Sequence, residues 1–168
     1  MSRNILVAYA TKYGATAGIA QKIGEVLNAS GHRADVQSVD SVSDISRYDA
    51  FVVGGSVYIG RMRKEARRFL KQHVSALSAR PVWLFASGPT DDKPVDPRMG
   101  GFENPQSMRE LVQKITPRDT RIFGGSIDPT KASGLDKWML SKVGAKITDA
   151  RNWEEIAAWA GEIASQLQ

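Results

Sequence analysis

Residues 11–16 combine two hydroxyl side chains with a glycine, immediately before a stretch of helical periodicity. They read Thr11, Lys12, Tyr13, Gly14, Ala15 and Thr16. Hydroxyls donate hydrogen bonds, a glycine lets the backbone come close to a ligand, and the free N–H groups at a helix start attract anions. Together they would form a cradle for a phosphate group without a basic side chain. An ordinary capped helix after a tight turn would use the same residues, so this segment alone leaves both interpretations open.

A second candidate segment, residues 54–60, follows an apolar run and is rich in glycine. It reads Gly54, Gly55, Ser56, Val57, Tyr58, Ile59 and Gly60. A flavin ring needs flat or bulky side chains to stack on and backbone groups near its edge, and this segment offers both. The alternative is a glycine-rich turn in which Tyr58 covers the core.

A third candidate segment follows the apolar run 81–86 and begins with Ser87, Gly88 and Pro89. Its backbone donors could meet the pyrimidine edge of such a ring, although a plain turn would have the same composition. The segment opens a loop of 17 residues, 88–104. That is long for a compact domain, and long loops are often functional.

Two common nucleotide-binding motifs are missing from residues 11–16. Neither the dinucleotide fingerprint nor the P-loop occurs there, which excludes both nicotinamide-dinucleotide and nucleoside-triphosphate interpretations of this segment. Phosphoacceptor signalling is excluded as well, because it requires acids at the carboxyl ends of the first and third strands to hold a divalent metal. Those ends are Ala10-Thr11 and Gly55-Ser56, and Asp49 stands at the opposite end of the third strand.

Apolar runs alternate with helical periodicities along the chain. We expect strands at residues 4–10, 34–39, 50–54, 81–86 and 120–124. Apolar residues at helical spacing predict helices after Thr16, which would serve as an early cap, up to Gly31, then between Met62 and Leu77, from Met108 to Ile115, and over about 135–146 and 153–166.

This alternation predicts a single α/β domain over residues 1–168. The second and fifth strands are more polar than the others, as edge strands of a parallel sheet should be. We therefore expect a doubly wound, five-stranded parallel sheet of order 2-1-3-4-5, with helices on both faces. A ligand would lie over the loops that leave the carboxyl ends of strands 1, 3 and 4.

The composition limits the chemistry. With no cysteine there is no thiol chemistry, and the two histidines, His32 and His73, are too few for a histidine-built metal site. Redox chemistry would have to come from a cofactor. No window is apolar enough to span a membrane, and the N-terminus runs into a strand without the layout of a signal peptide, so we expect a cytoplasmic location.

The net charge of +5 comes from one segment, residues 61–71, which has six basic residues and one acid. Lys64, Arg67, Arg68 and Lys71 have helical spacing opposite an apolar stripe. A solvated helix face is one interpretation. The other is a patch for an acidic substrate or an anionic membrane surface, which would place the protein at the inner face of the membrane. No nucleic acid is expected, since aromatic residues are not interleaved with the charges.

The stretch VAYATKYGATAGIA, residues 7–20, resembles the flavodoxin signature, in which an aromatic residue, a Thr or Ser, a Gly and a second Thr precede a helical Ala. Tyr9, Thr11, Gly14, Thr16 and Ala20 occupy those positions. The resemblance implies a flavodoxin-like fold and an FMN cofactor. Its phosphate would bind at Thr11, Lys12, Tyr13, Gly14, Ala15 and Thr16, its isoalloxazine ring would pack on Ser56, Val57, Tyr58, Ile59 and Gly60, and the far edge of the ring would meet Ser87, Gly88 and Pro89.

Together with GGSVYIGRMRKEARRFL (54–70) and DARNWEEIAAWAGEI (149–163), the signature resembles the branch related to menaquinone-dependent protoporphyrinogen dehydrogenase. That branch implies an oxidoreductase that passes electrons from a reduced small-molecule substrate, such as a porphyrinogen, to a quinone-like acceptor. A second hypothesis is a non-enzymatic electron carrier that docks onto redox proteins, and a third is a scaffold module without flavin. Carrier flavodoxins are usually acidic, and a pI near 9.6 favours the first hypothesis.

Overall fold

The computed structural model describes residues 1–58, 60–88, 101–102, 106–127, 130–131, 133–142 and 149–168. The strands are β1 (Asn4–Ala10), β2 (Arg33–Ser38), β3 (Ala50–Tyr58), β4 (Arg61–Met62), β5 (Val82–Ser87) and β6 (Asp119–Phe123). The helices are α1 (Ala15–Ala29), α2 (Lys64–Gln72), α3 (Val74–Ser78), α4 (Gln106–Ile115), α5 (Gly134–Lys142) and α6 (Trp153–Gln166), with a 3₁₀ turn at Val39–Ser41.

The described strands form a parallel sheet of order β2-β1-β3-β5-β6, with the short β4 pairing antiparallel to the end of β3. The five main strands therefore have the predicted order, and the doubly wound α/β fold is confirmed. The polar strands β2 and β6 are the edges, as expected, and the apolar strands β1, β3 and β5 are central. The order reverses direction between β1 and β3, which makes that junction the switch point of the sheet.

Helices cover both faces of the sheet, and alternate residues of the central strands supply the two cores. On one face Leu6 and Ala8 of β1 belong to a cluster with residues of α2, α3 and α4. On the other face Ile5 and Val7 of β1 pack with α1 and α6. This alternation follows from the period of two in a β-strand, and both faces are apolar because both are buried.

The second candidate segment was predicted to be a loop, and this prediction was wrong for most of its residues. β3 extends to Tyr58, and the short β4 that begins at Arg61 pairs antiparallel with its end, with Val57 opposite Met62. The glycines that suggest a turn serve packing instead. A Cβ on Gly54 would overlap the ring of Phe85, and one on Gly55 would come within 2.9 Å of side-chain atoms of both Met62 and Ala66.

The part of the chain between β5 and α4 is described only at Gly88, Gly101 and Phe102, so most of the predicted long loop lies outside the described residues. Phe102 is buried in the core beside α2 and α4. Gly101 has a φ of +77°, and a Cβ there would come 2.7 Å from the backbone nitrogen of Met62. Gly101 therefore lies directly against β4, and Phe102 contributes to the core.

We predict that Gly54→Ala lowers the free energy of unfolding by about 3 kcal/mol, because the new methyl group would have to displace the Phe85 ring in a packed core. Gly161→Ala is the matched control. Gly161 lies within α6 and a Cβ there meets nothing within 4 Å, so alanine should stabilise the protein by about 0.5–1 kcal/mol. Urea unfolding measures both changes. If the two substitutions change the free energy of unfolding by the same amount in the same direction, the packing argument is contradicted.

Candidate functional site

A cleft opens at the carboxyl ends of the central strands, beside the switch point of the sheet. The described residues that line it are Thr11, Lys12, Tyr13, Ala15, Ser56, Val57, Tyr58, Arg63, Ser87, Gly88, Gly125, Ser126 and Ile127. This is where ligands bind in open α/β sheets. All three predicted segments meet there.

The N-terminus of α1 forms one end of the cleft and presents free backbone donors. Gly14 is the N-cap, no side chain caps the helix, and its first turn contains no acid. Gly14 has a φ of +91°, a left-handed conformation that favours glycine. The Thr11 hydroxyl accepts a 2.9 Å hydrogen bond from Gly14 N, which holds the turn. The uncapped N–H groups and the positive end of the helix dipole suit a phosphate group.

The prediction that Thr16 caps α1 was wrong. This residue does not cap α1, and its side chain is fully buried. Its hydroxyl is 2.6 Å from the hydroxyl of Ser87 at the end of β5. Two of the predicted ligand-binding hydroxyls therefore bond to each other, and they fix the start of α1 to the sheet beneath the cleft.

A lysine from a distant part of the chain lies beside this helix start. The ammonium of Lys131 would be 3.6 Å from a Cβ built on Gly14. Lys131 is exposed and forms no ion pair with any described residue. A phosphate at the α1 terminus would thus gain a cation that the local sequence motif does not contain.

Lys12 places its ammonium between two tyrosine rings. Nζ lies 5.1 Å from the ring centre of Tyr13 and 4.9 Å from that of Tyr58, within the range of cation–π contacts. It also donates a 2.7 Å hydrogen bond to Oδ1 of Asp136 on α5. Burial acts to lower the pKa of Lys12, but the bond to Asp136 and the contact with Tyr13 outweigh it and raise that pKa. Lys12 in turn is the main cause that holds the pKa of Asp136 well below its usual range.

The Tyr13 hydroxyl is a buried polar atom without a hydrogen-bond partner among the described residues. Lys12 and Asp136 are the charged groups close enough to affect its pKa. Burial is the largest cause that raises the pKa of Tyr13, so the hydroxyl keeps its proton at neutral pH. An acceptor atom of a bound ligand would satisfy it.

The opposite wall of the cleft is the β3–β4 hairpin. Val57 and Tyr58 are half-buried at the end of β3, and Arg63 follows β4 at the start of α2. Arg63 forms a two-pronged ion pair with Glu65, with Nε–Oε2 and Nη2–Oε1 distances of 3.1 and 3.0 Å. The ion pair restrains the guanidinium of Arg63, which lines the same cleft as Tyr58.

Sequence reasoning missed the residues that follow the edge strand β6. Gly125, Ser126 and Ile127 line the cleft because the backbones after β5 and β6 approach closely: a Cβ on Gly125 would overlap the carbonyl oxygen of Gly88. The pair Gly124-Gly125 was the available signal. Arg63 was also missed, although it directly follows the second candidate segment.

Most of the predicted cofactor-binding residues come together in the cleft. Nine line it: Thr11, Lys12, Tyr13, Ala15, Ser56, Val57, Tyr58, Ser87 and Gly88. Gly14 supports the helix start, Thr16 lies beneath it, and Gly60 forms the hairpin turn with a φ of +69°. Ile59 and Pro89 lie outside the described residues. Contact of these residues with FMN stays a prediction.

The chain belongs to the flavodoxin domain family, whose model matches residues 6–152. Membership of this family implies FMN as the cofactor and electron transfer as the kind of chemistry. The family assignment does not extend to the protoporphyrinogen dehydrogenase branch. No protein with a curated description matches the chain significantly.

Solved structures of flavodoxins share the fold. A flavodoxin from the Archaea is 16% identical over 98% of both chains, with a TM-score of 0.64. Flavodoxin 2 from Bacillus cereus is 19% identical over 97% of this chain and 99% of its own, with a TM-score of 0.61. The rubredoxin:oxygen oxidoreductase of Desulfovibrio gigas is 13% identical over 98% of this chain and 36% of its own, with a TM-score of 0.64. At these identities the likeness concerns the fold alone.

The residues present fit FMN. The uncapped α1 start, Thr11 and Lys131 suit the phosphate, the Tyr13 hydroxyl is an available donor, and Tyr58 offers a flat surface for the ring. FMN itself supplies hydride and single-electron chemistry when bound. In the described parts of the chain no three metal-ligating side chains come together, and no helix there is both long and apolar enough to cross a bilayer.

We predict that Thr11→Asp weakens FMN binding at least about tenfold. A carboxylate can still accept the Gly14 hydrogen bond, but it adds a negative charge beside the phosphate. Like charges about 4 Å apart repel by roughly 4 kcal/mol at an effective dielectric constant of about 20, and about 1.4 kcal/mol is enough for a tenfold loss. Quenching of flavin fluorescence measures the affinity.

Thr11→Asn is the control, since it keeps an acceptor without the charge and should bind FMN nearly as the wild type does. Riboflavin, which lacks the phosphate, should bind equally to both variants. If Thr11→Asp weakens riboflavin as much as FMN, the phosphate does not lie at the α1 terminus. Thr16 is unsuitable for this test because a carboxylate there would be buried against Ser87.

A second prediction concerns the ring. Tyr58→Ala should weaken FMN binding about three- to tenfold and shift the flavin spectrum, because an aromatic contact contributes about 0.5–1.5 kcal/mol beyond its buried area. Tyr58→Phe keeps the ring and should behave as the wild type. If the alanine variant binds FMN normally while its apoprotein melts at a lower temperature, Tyr58 is a core residue and not a flavin contact.

Proposed function

We propose that this protein is an FMN-dependent oxidoreductase that passes electrons from a reduced organic substrate to a quinone-like acceptor. The observation that carries the proposal is the switch-point cleft, in which an uncapped helix start for a phosphate lies opposite a tyrosine wall for a ring. Family membership supports the cofactor. The basic overall charge favours an enzyme with an anionic or membrane-borne reaction partner over an electron carrier, since carrier flavodoxins are usually acidic.

The charges at the cleft support redox chemistry carried by the flavin. Among the described residues, two carboxylates are each held by a cation that lines the cleft, Asp136 by Lys12 and Glu65 by Arg63. For Glu65, burial acts to raise the pKa, but its backbone hydrogen bond and the Arg63 contact outweigh it and lower that pKa. Neither carboxylate is a ready proton acceptor at neutral pH, so the described residues would bind and orient rather than act as an acid–base pair.

A second candidate is an electron carrier that docks onto redox proteins, which the flavodoxin family itself favours. The two candidates differ in what accepts the electrons. A quinone-reducing enzyme would be reoxidised by a small molecule in the cleft, whereas a carrier would be reoxidised mainly by a protein partner. A porphyrinogen substrate is the narrower hypothesis within the first candidate.

The deciding experiment is anaerobic reduction of the FMN-loaded protein, followed by stopped-flow mixing with separate acceptors. We expect reoxidation by a water-soluble quinone to be at least about tenfold faster than reoxidation of free reduced FMN by the same quinone. Rapid reoxidation by a ferredoxin-type protein but not by quinones would support the carrier instead. Anaerobic mixing of the oxidised, FMN-loaded protein with a porphyrinogen tests the narrower hypothesis, with loss of the oxidised-flavin absorbance together with appearance of the porphyrin band as readout. A colourless protein that takes up no FMN would contradict both candidates.

A further inference from the structure

The basic face of α2 forms one wall of a groove shared with α4, and the side chains of Lys64, Arg68 and Lys71 on this wall are exposed. The residues that line the groove are Lys64, Arg67, Arg68, Lys71, Val74, Ser107, Met108, Glu110, Leu111 and Lys114. Its volume is about 590 Å³, within the range of about 300–1,000 Å³ that is typical of ligand sites. The groove is distinct from the flavin cleft, with which it shares no lining residue.

Cations converge on this groove from both helices. Four lie on α2, and Lys114 faces them from α4, while Glu110 is the one acid among the lining residues. Arg67 is anchored by a 3.1 Å hydrogen bond from Nε to the carbonyl oxygen of Met62. Lys64, Arg68, Lys71 and Lys114 form no ion pair with any described residue. Like charges that share a groove repel each other, so an anionic occupant would relieve an unfavourable field.

The groove also has an apolar part. Val74 and Leu111 are half-buried in it, and Met108 closes its base. A bare inorganic anion would use the cations and leave these side chains in water. A ligand with an anionic headgroup and an apolar body would use both, since lysine and arginine side chains hold charge at the rim while their stems and the floor contact hydrocarbon.

We propose that the groove between α2 and α4 binds an anionic phospholipid and holds the protein at a membrane surface. This inference rests on the proposed function in one respect, because a quinone-like acceptor dissolves in the bilayer. The position of the groove agrees with that role: Lys64 in the groove directly follows Arg63 in the flavin cleft. Docking through the groove would bring the cleft close to the membrane.

The test compares two triple variants of the FMN-loaded protein in vesicle sedimentation. Arg68→Gln, Lys71→Gln and Lys114→Gln together should lower the affinity for vesicles with about 30% phosphatidylglycerol by about a hundredfold, at about 1 kcal/mol per cation. The control removes the same number of charges elsewhere: Lys22→Gln, Arg33→Gln and Lys137→Gln. It should bind nearly as the wild type does, and FMN content should be unchanged in both.

A second arm uses monomeric dihexanoyl phosphatidylglycerol and inorganic phosphate as soluble probes, with calorimetry as readout. The wild type should bind the lipid more tightly than phosphate, and the groove variant should lose this binding. Equal losses in the two triple variants, binding of phosphate as tight as that of the lipid, or equal binding to uncharged phosphatidylcholine vesicles would each overturn the proposal. Lipid binding that persists in a protein unable to reduce quinones would sustain the groove and reject only the proposed function.

Discussion

The buried hydrogen bond between Thr16 and Ser87 is the interaction on which the candidate site depends. It joins the first turn of α1 to the end of β5 across the switch point, where no other buried hydroxyl pair is described. An unpaired buried hydroxyl costs about 1–3 kcal/mol, so each hydroxyl makes the other tolerable in the core. The bond fixes the helix start relative to the third segment. The relative position of the phosphate end and the ring edge of the cleft therefore depends on one hydrogen bond, to which the first segment contributes Thr16 and the third contributes Ser87.

A consequence is that the α1 terminus stays open. A Ser, Thr, Asp or Asn at the N-cap would occupy the backbone donors that a phosphate needs. Here glycine stands at the N-cap, Thr11 bonds to Gly14 N from outside the helix, and Thr16 points into the core. Without a side-chain cap α1 is less stable, and a bound anion at its N-terminus would compensate for this loss.

The sequence predicted what depends on local periodicity and failed where distant residues decide. β1 and α6 have the predicted bounds, because an apolar run and apolar residues at helical spacing are visible in the sequence. The predicted β3 was too short because Gly54 and Gly55 look like a turn. In the structure, Phe85, Met62 and Ala66 leave no room for a side chain at these two positions. Likewise Lys131 and Asp136 reach the first segment only through tertiary folding, so no local motif could assign them to the cleft.

The candidate cleft and the groove between α2 and α4 differ in how their cations are paired. In the candidate cleft Lys12 and Arg63 each hold a carboxylate, so these two cations add little net charge, whereas Lys131 beside the helix start has no ion-pair partner among the described residues. In the groove the cations stand without such partners in the described chain, and their field extends about 8 Å at physiological ionic strength. Paired charges orient a cofactor without attracting competing anions, whereas unpaired charges attract a partner from solution. One basic sequence segment would thus serve both proposed purposes, because Glu65 is paired only with Arg63.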